Sequence, residues 1–232
     1  MVLEKGNAYF KGLSRKDYVQ KAHEIIQKEG QEAVTIRRIG KELGCSSASL
    51  YRYFENLPEL LYYAELRTLN SYINRLNEAE KHWQGAWDVY VGVWDCYSRE
   101  AFSHPKAFEL LFFKYTNEKL QSSINEYYEM FPGDLEKTSW IFQTMLRCAD
   151  FLGRDYEMCK RCVQEGVLRS ADTVQLNRMA CNLFKGYFKT VLDEGIEEDQ
   201  IDARVRDFID DMDMVVRALA IDLKGYTGYK RY

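Results

Sequence analysis

Apolar residues recur along most of this chain at three- and four-residue intervals, the spacing of one buried helix face. Tyr18, Ala22, Ile25 and Ile26 share such a face in a segment opening at Ser14. Asp17 stands three residues on, as in a capping box, and Gly30 suits a left-handed C-terminal position. Thr35 caps a second, short helix whose buried side is Ile36, Ile39 and Leu43, and Gly44 ends it. Cys45 and Ser46 make a turn. Ser46 or Ser47 then caps a third helix through Phe54, with Leu50 and Phe54 pointing inward. Asn56, Pro58 and Glu59 open a fourth helix, expected to reach about Leu76.

Longer helices are predicted over roughly 84–102, from Pro105 to about 115 with Ser103 as cap, and over 118–130, 134–152 and 155–169. Two more run from Asp172 to Glu194, with Gly195 as the stop, and over 199–223. Phe131-Pro132-Gly133-Asp134 is a break, and Lys224–Tyr232 reads as a frayed tail. With only 3 prolines and 14 glycines in 232 residues, the chain favours helices over a many-turned β fold. Neither an internal repeat nor a low-complexity segment interrupts it. The predicted fold class is all-α.

Apolar content of 46% and charged content of 29% describe a soluble globular composition. Met1 to Phe10 lack an apolar signal-peptide core, and no stretch approaches about 18 consecutive apolar residues. The expectation is a cytoplasmic protein with no membrane partner, whose six scattered cysteines are reduced. Net charge is −4, which does not itself advertise nucleic-acid binding. Its distribution says more: residues 1–75 carry 12 Lys/Arg against 9 Asp/Glu, whereas the remainder is acidic. A basic head on an acidic body suits a protein that presents one end to phosphate.

Two short helices joined by a glycine-containing turn, behind a stabilising helix, form a helix-turn-helix. The second helix of such a pair can lie in the major groove. Its outward residues here are Ser47, Ser49, Tyr51, Arg52 and Tyr53, with Ser46 at its cap. Hydroxyls suit phosphate oxygens and fix register. Thr35, Arg37 and Arg38 stand at the preceding helix start, where Arg37 can reach a guanine edge in bidentate fashion and the helix amides suit a phosphate. These nine residues are the candidate DNA contacts.

This block resembles the TetR family of regulators. The resemblance rests on Gly30, Thr35-Ile36-Arg37-Arg38-Ile39-Gly40, Leu43-Gly44-Cys45-Ser46, Ser49-Leu50-Tyr51-Arg52-Tyr53-Phe54, Asn56 and Glu59-Leu60-Leu61. A weaker match is Ala101-x-x-His104-Pro105-x-x-Phe108-x-Leu110-Leu111-Phe112. The resemblance implies a homodimer, a four-helix DNA-binding domain (12–62, helix four continuing to about 76), and a C-terminal domain (77–223). That second domain would hold a small molecule and dimerise through its last two helices. Leu57 departs from the family's usual Lys and puts one phosphate contact in doubt; Lys41, Arg52 and Arg15 can compensate.

Trp87, Tyr90, Trp94 and Tyr97 make an aromatic stripe on one helix, and Phe112, Tyr127 and Trp140 add to a ring-rich body. With Arg147 as a polar contact, these are candidate lining of a pocket for an apolar or aromatic effector, or else plain core. Asp150 and Arg154 stand on neighbouring turns, either as further polar contacts or as a charged outer face. The last two helices carry broad apolar faces, Leu176 to Val191 and Ile201 to Leu223, suited to packing inward and against a second subunit.

Cys159-x-x-Cys162 is a lone pair, without the second pair of a structural zinc site. No metal or cofactor is expected. Three histidines, His23, His82 and His104, stand in no catalytic motif, and His23 is expected on the exposed side of the first helix. The chain is therefore read as a non-enzymatic transcriptional regulator. It is expected to be a repressor that leaves a near-palindromic double-stranded DNA operator when a small molecule binds. The alternative is a protein-interaction module that keeps the fold without specific operator binding.

Overall fold

Helix α1 (Arg15–Glu29) starts where the Asp17 carboxylate accepts hydrogen bonds from both the amide and the hydroxyl of Ser14, each at 2.7 Å. It stops at Gly30, whose φ of 84° a side chain would resist. A computed structural model of the chain describes residues 12–114 and 117–230; Met1–Phe10, where no signal-peptide core was read, lie outside them. Among the described residues every regular element is helical, as the hydrophobic period implies. None of these helices is long and apolar enough to cross a membrane.

The chain forms two units, one up to Arg67 and the other from Thr68 onward. In the first, α1 is followed by α2 (Ile36–Leu43) and α3 (Leu57–Leu66). The Thr35 hydroxyl accepts from the Arg38 amide to cap α2, and the Asn56 side chain accepts from the Glu59 amide to cap α3. Tyr18, Val19, Ala22, Ile25, Ile39, Leu50, Phe54 and Leu60 form the buried core. The helix expected from Asn56 to Leu76 is interrupted. The Arg67 amide bonds to the carbonyl of Ala64 three residues back, closing α3 in a tight turn, and α4 (Leu69–Ala79) follows.

The second unit continues with α5 (Ala86–Ser103), α6 (Pro105–Phe113), α7 (Asn117–Met130), α8 (Gly133–Glu136), α9 (Trp140–Arg147) and α10 (Phe151–Gln164). It closes with α11 (Thr173–Glu194) and α12 (Ile201–Leu219). Helix α5 is buried almost throughout and packs against α4, α10, α11 and α12. Phe184 on α11 is fully buried, with ring contacts to Trp94, Tyr97, Phe102, Phe151, Phe188 and Phe208 at centroid distances of 5.0–6.0 Å.

Three sequence expectations need correction here. The single helix over 134–152 is two, because Lys137–Ser139 form a turn. The Gln143 amide holds that turn by donating to the carbonyls of Leu135 and Thr138. Ser103 does not cap α6, since its hydroxyl donates back to the Arg99 carbonyl at 2.8 Å and His104 takes the cap position. The tail is not frayed over its described part. The Ile221 amide donates to the Val167 carbonyl, the Trp87 indole donates to the Asp222 carbonyl, each at 3.0 Å, and Tyr226 is buried.

Candidate nucleic-acid interface

The segment expected as the third helix is a 3-10 helix, Ser47–Arg52. Its geometry is set by short-range and long-range bonds together. The Ser49 amide and hydroxyl both donate to the Ser46 carbonyl, and the amides of Tyr53 and Phe54 both reach Leu50. From α1, the Tyr18 hydroxyl meets the Ser49 hydroxyl at 2.8 Å and the Cys45 sulfur at 3.4 Å. Small serines whose hydroxyls compete for backbone groups favour turns over a regular α-helix. Gly40 lets the turn lie close on α2: a Cβ there would stand 3.0 Å from the Cys45 carbonyl oxygen and 3.4 Å from the Ser47 nitrogen.

The nine candidate DNA contacts divide into free and occupied groups. Thr35, Arg37, Ser46, Ser47, Tyr51 and Arg52 are exposed, Tyr51 at 56%. Thr35 also caps α2. Ser49, Tyr53 and Arg38 are engaged inside the domain. The Tyr53 ring packs tilted against Tyr18, 5.4 Å between centroids, and its hydroxyl donates to the Leu13 carbonyl. The Arg38 guanidinium forks onto Glu29 at 2.5 and 2.7 Å and its Nε donates to Glu42 at 2.8 Å. Those hydrogen bonds, Glu29 first, raise its pKa further.

Two positioning interactions were not foreseen. Arg15 bridges to Glu59 at 2.9 Å and lies over the rings of Phe54 and Tyr63, tying α1 to α3. His23, expected outward, is half-buried instead. Its Nδ1 lies 3.0 Å from the Ala64 carbonyl, and burial lowers its pKa. The signal for the first was Arg15 and Glu59 at opposite ends of the block; the second depended on where α3 crosses α1.

This domain matches the family model for bacterial regulatory proteins of the tetR family over residues 19–62. Residues 19–62 are thus similar to the N-terminal domain of that family, and the match does not extend beyond them. Over 68 residues it is 32% identical to an HTH-type transcriptional regulator of Staphylococcus aureus (strain bovine RF122), a match covering 29% of this chain and 37% of that relative. A solved protein of unknown function from Rhodococcus sp. RHA1 is similar to 93% of this chain and all of its own, with a TM-score of 0.57 at 17% identity. The transcriptional regulator FadR from Bacillus subtilis, solved with stearoyl-CoA, is similar to 89% of this chain and all of its own, with a TM-score of 0.54 at 16% identity. The structural likenesses take in the C-terminal body as well, and at those identities they show the fold alone.

In that body the candidate pocket residues do not form one site. Trp87, Tyr90, Trp94, Tyr97, Phe112 and Tyr127 are all buried, whereas Trp140 is 71% exposed and Arg147 is exposed too. Trp94 and Tyr97 line a small, partly open cavity of about 30 Å³ with Tyr72, Val93, Met145, Phe151, Arg154, Asp155 and Met158. Trp87 borders a separate recess of about 440 Å³ beside Glu165 and Lys224–Tyr226. The Tyr127 hydroxyl donates to Asp134 at 2.6 Å. Asp155 accepts from the Trp94 indole and the Asn177 amide, each at 2.9 Å, and burial pushes its pKa up to about 6 against those bonds.

Cys159 and Cys162 lie one turn apart on α10, both buried and unlinked. Burial, then the neighbouring Asp155 charge, holds both thiols well above the ordinary range. They are protonated and shielded, the opposite of a reactive thiolate. No group of three or more potential metal ligands occurs among the described residues.

Proposed function

We propose that this chain is a DNA-binding transcriptional regulator that acts as a homodimer on a near-palindromic operator. It acts as a repressor and is released by a small-molecule effector. The observation that carries the DNA-binding reading is the exposed set Arg37, Ser47, Tyr51 and Arg52 around the turn between α2 and the Ser47–Arg52 segment. None of these side chains is spent on an internal ion pair, while Arg38, Ser49 and Tyr53 hold the segment in place behind them. Cationic and phenolic groups on a rigid small domain suit phosphate positioning and base-edge contact.

Two half-sites require two subunits. Val174 and Met179 on α11 and Met214 on α12 are exposed large apolar residues on the two helices that the family uses to dimerise. An effector would bind within the ring-rich body. By linkage, effector and operator then weaken each other's binding by the same factor.

Selection of bound sequences from a random DNA pool with the full chain tests this reading. A near-palindromic winner, bound by two chains, is expected. Failure to enrich any sequence, with apo protein shown to be folded, would overturn it in favour of a protein-interaction module.

A further inference from the structure

Arg154 on α10 is 5% exposed and carries a permanent charge, yet no acidic side chain among the described residues pairs with it. Its Nε donates to the Cys148 carbonyl at 2.6 Å and one terminal nitrogen donates to the Leu146 carbonyl at 3.0 Å. The other terminal nitrogen, Nη1, is buried and makes no hydrogen bond. An unpaired buried cation is among the costliest groups a protein can hold, which singles this position out.

Two further buried donors share its surroundings. The hydroxyls of Tyr97 and Tyr128 are buried and make no hydrogen bond, in residues 5% and 4% exposed. The guanidinium charge acts on both phenols, partly opposing the rise in pKa that burial causes. The guanidinium also lies 4.7 Å from the centre of the Phe112 ring, which itself packs on Tyr97 at 5.8 Å. Three donors without acceptors around one positive charge call for a single acceptor with several lone pairs.

The remaining walls are apolar. Arg154 and Tyr97 line the 30 Å³ cavity together with Tyr72, Val93, Trp94, Met145, Phe151 and Met158. That volume is far below the roughly 300–1,000 Å³ of a small-molecule site. Two of its walls are methionines, whose three rotatable bonds let them repack around an entering chain. Asp155 also borders the cavity, but its oxygens are already taken by Trp94, Asn177 and Cys159, so it does not compete for the Arg154 donor.

We propose that the effector is an apolar carboxylic acid, with its carboxylate on Arg154 Nη1 and the hydroxyls of Tyr97 and Tyr128, and its chain between Met145 and Met158. The inference rests on the effector reading above and specifies its chemistry. It is distinct from a thioester ligand, which presents no carboxylate at the end of its acyl chain.

Calorimetric titration of the full chain with sodium decanoate, 1-decanol and stearoyl-CoA tests it. Decanoate is expected to bind at least tenfold more tightly than decanol, and Arg154→Met to remove that preference. Tyr97→Phe and Tyr128→Phe keep the ring packing and are expected to weaken decanoate severalfold each, so the test stands even where Arg154→Met fails to unfold cooperatively. Equal binding of acid and alcohol, or binding of stearoyl-CoA alone, would overturn the carboxylate proposal while leaving the effector reading intact. Binding of none of the three would overturn the proposal. The effector reading fails separately if extracts of the source cell, stripped of protein, leave operator affinity unchanged.

Discussion

The Tyr18 hydroxyl lies 2.8 Å from the Ser49 hydroxyl, joining the first turn of α1 to the Ser47–Arg52 segment. Ser49 passes the same link on to the Ser46 carbonyl. A residue read from the sequence as a DNA contact thus serves first as a strut. Tyr18→Phe is expected to cost about 1 kcal/mol of stability in the N-terminal unit, the usual worth of such a bond. Hydrogen exchange at α1 and α2 amides measures it. No change in protection there would show the link to be dispensable.

Arg37 and Arg38 are neighbours with opposite fates. Arg38 is neutralised by Glu29 and Glu42, whereas Arg37 is exposed and outside every ion pair described. Arg37→Ala is expected to weaken binding to the preferred operator by about 1–3 kcal/mol, roughly five- to 150-fold, the scale of a lost bidentate base contact. Arg38→Ala is expected to loosen the α1–α2 junction and to affect affinity less. Anisotropy titrations of both variants on one duplex compare them directly.

Asp155 is fully buried with its pKa pushed up to about 6 from an ordinary value of 3.8. Its folded form therefore holds a proton more tightly than its unfolded form. Stability from this group is greatest below about pH 4 and declines as pH rises to 6, then levels off. The decline is on the order of 2–3 kcal/mol. The difference in urea stability between the native chain and Asp155→Asn should shift by that amount between pH 4 and 7. A flat difference would mean that Asp155 ionises as it does in water.

Phe184 stands at the centre of the ring cluster in the second unit, in contact with six other aromatic residues. Phe184→Ala should cost about 3–5 kcal/mol, the range for a large-to-small change in a packed core. The urea midpoint of the second unit reports it.

Local signals carried most of the fold. Ser14 with Asp17, Thr35 and Asn56 cap the helices that follow them, and Gly30, Gly44 and Gly195 end theirs at positive φ, although Gly44 and not Gly30 takes the left-handed helical conformation. What escaped was decided by partners distant in sequence. The Ser47–Arg52 segment is drawn into a 3-10 helix by Tyr18 and by the close approach at Gly40. The tail is ordered by Trp87 and Val167, far back along the chain. Period alone could not separate the exposed Trp140 from the buried Trp94, nor show that Arg154 turns inward. An arginine among polar neighbours reads as surface until the helices around it are placed.

The central claim is specific operator recognition. Fluorescence anisotropy of the full chain on the selected duplex and on a shuffled duplex of equal composition, at two salt concentrations, measures it most directly. A preference of about a thousandfold or more for the selected duplex is expected, with binding that falls steeply as salt rises. Equal affinity for the two duplexes, with the protein folded and free of ligand, would contradict it.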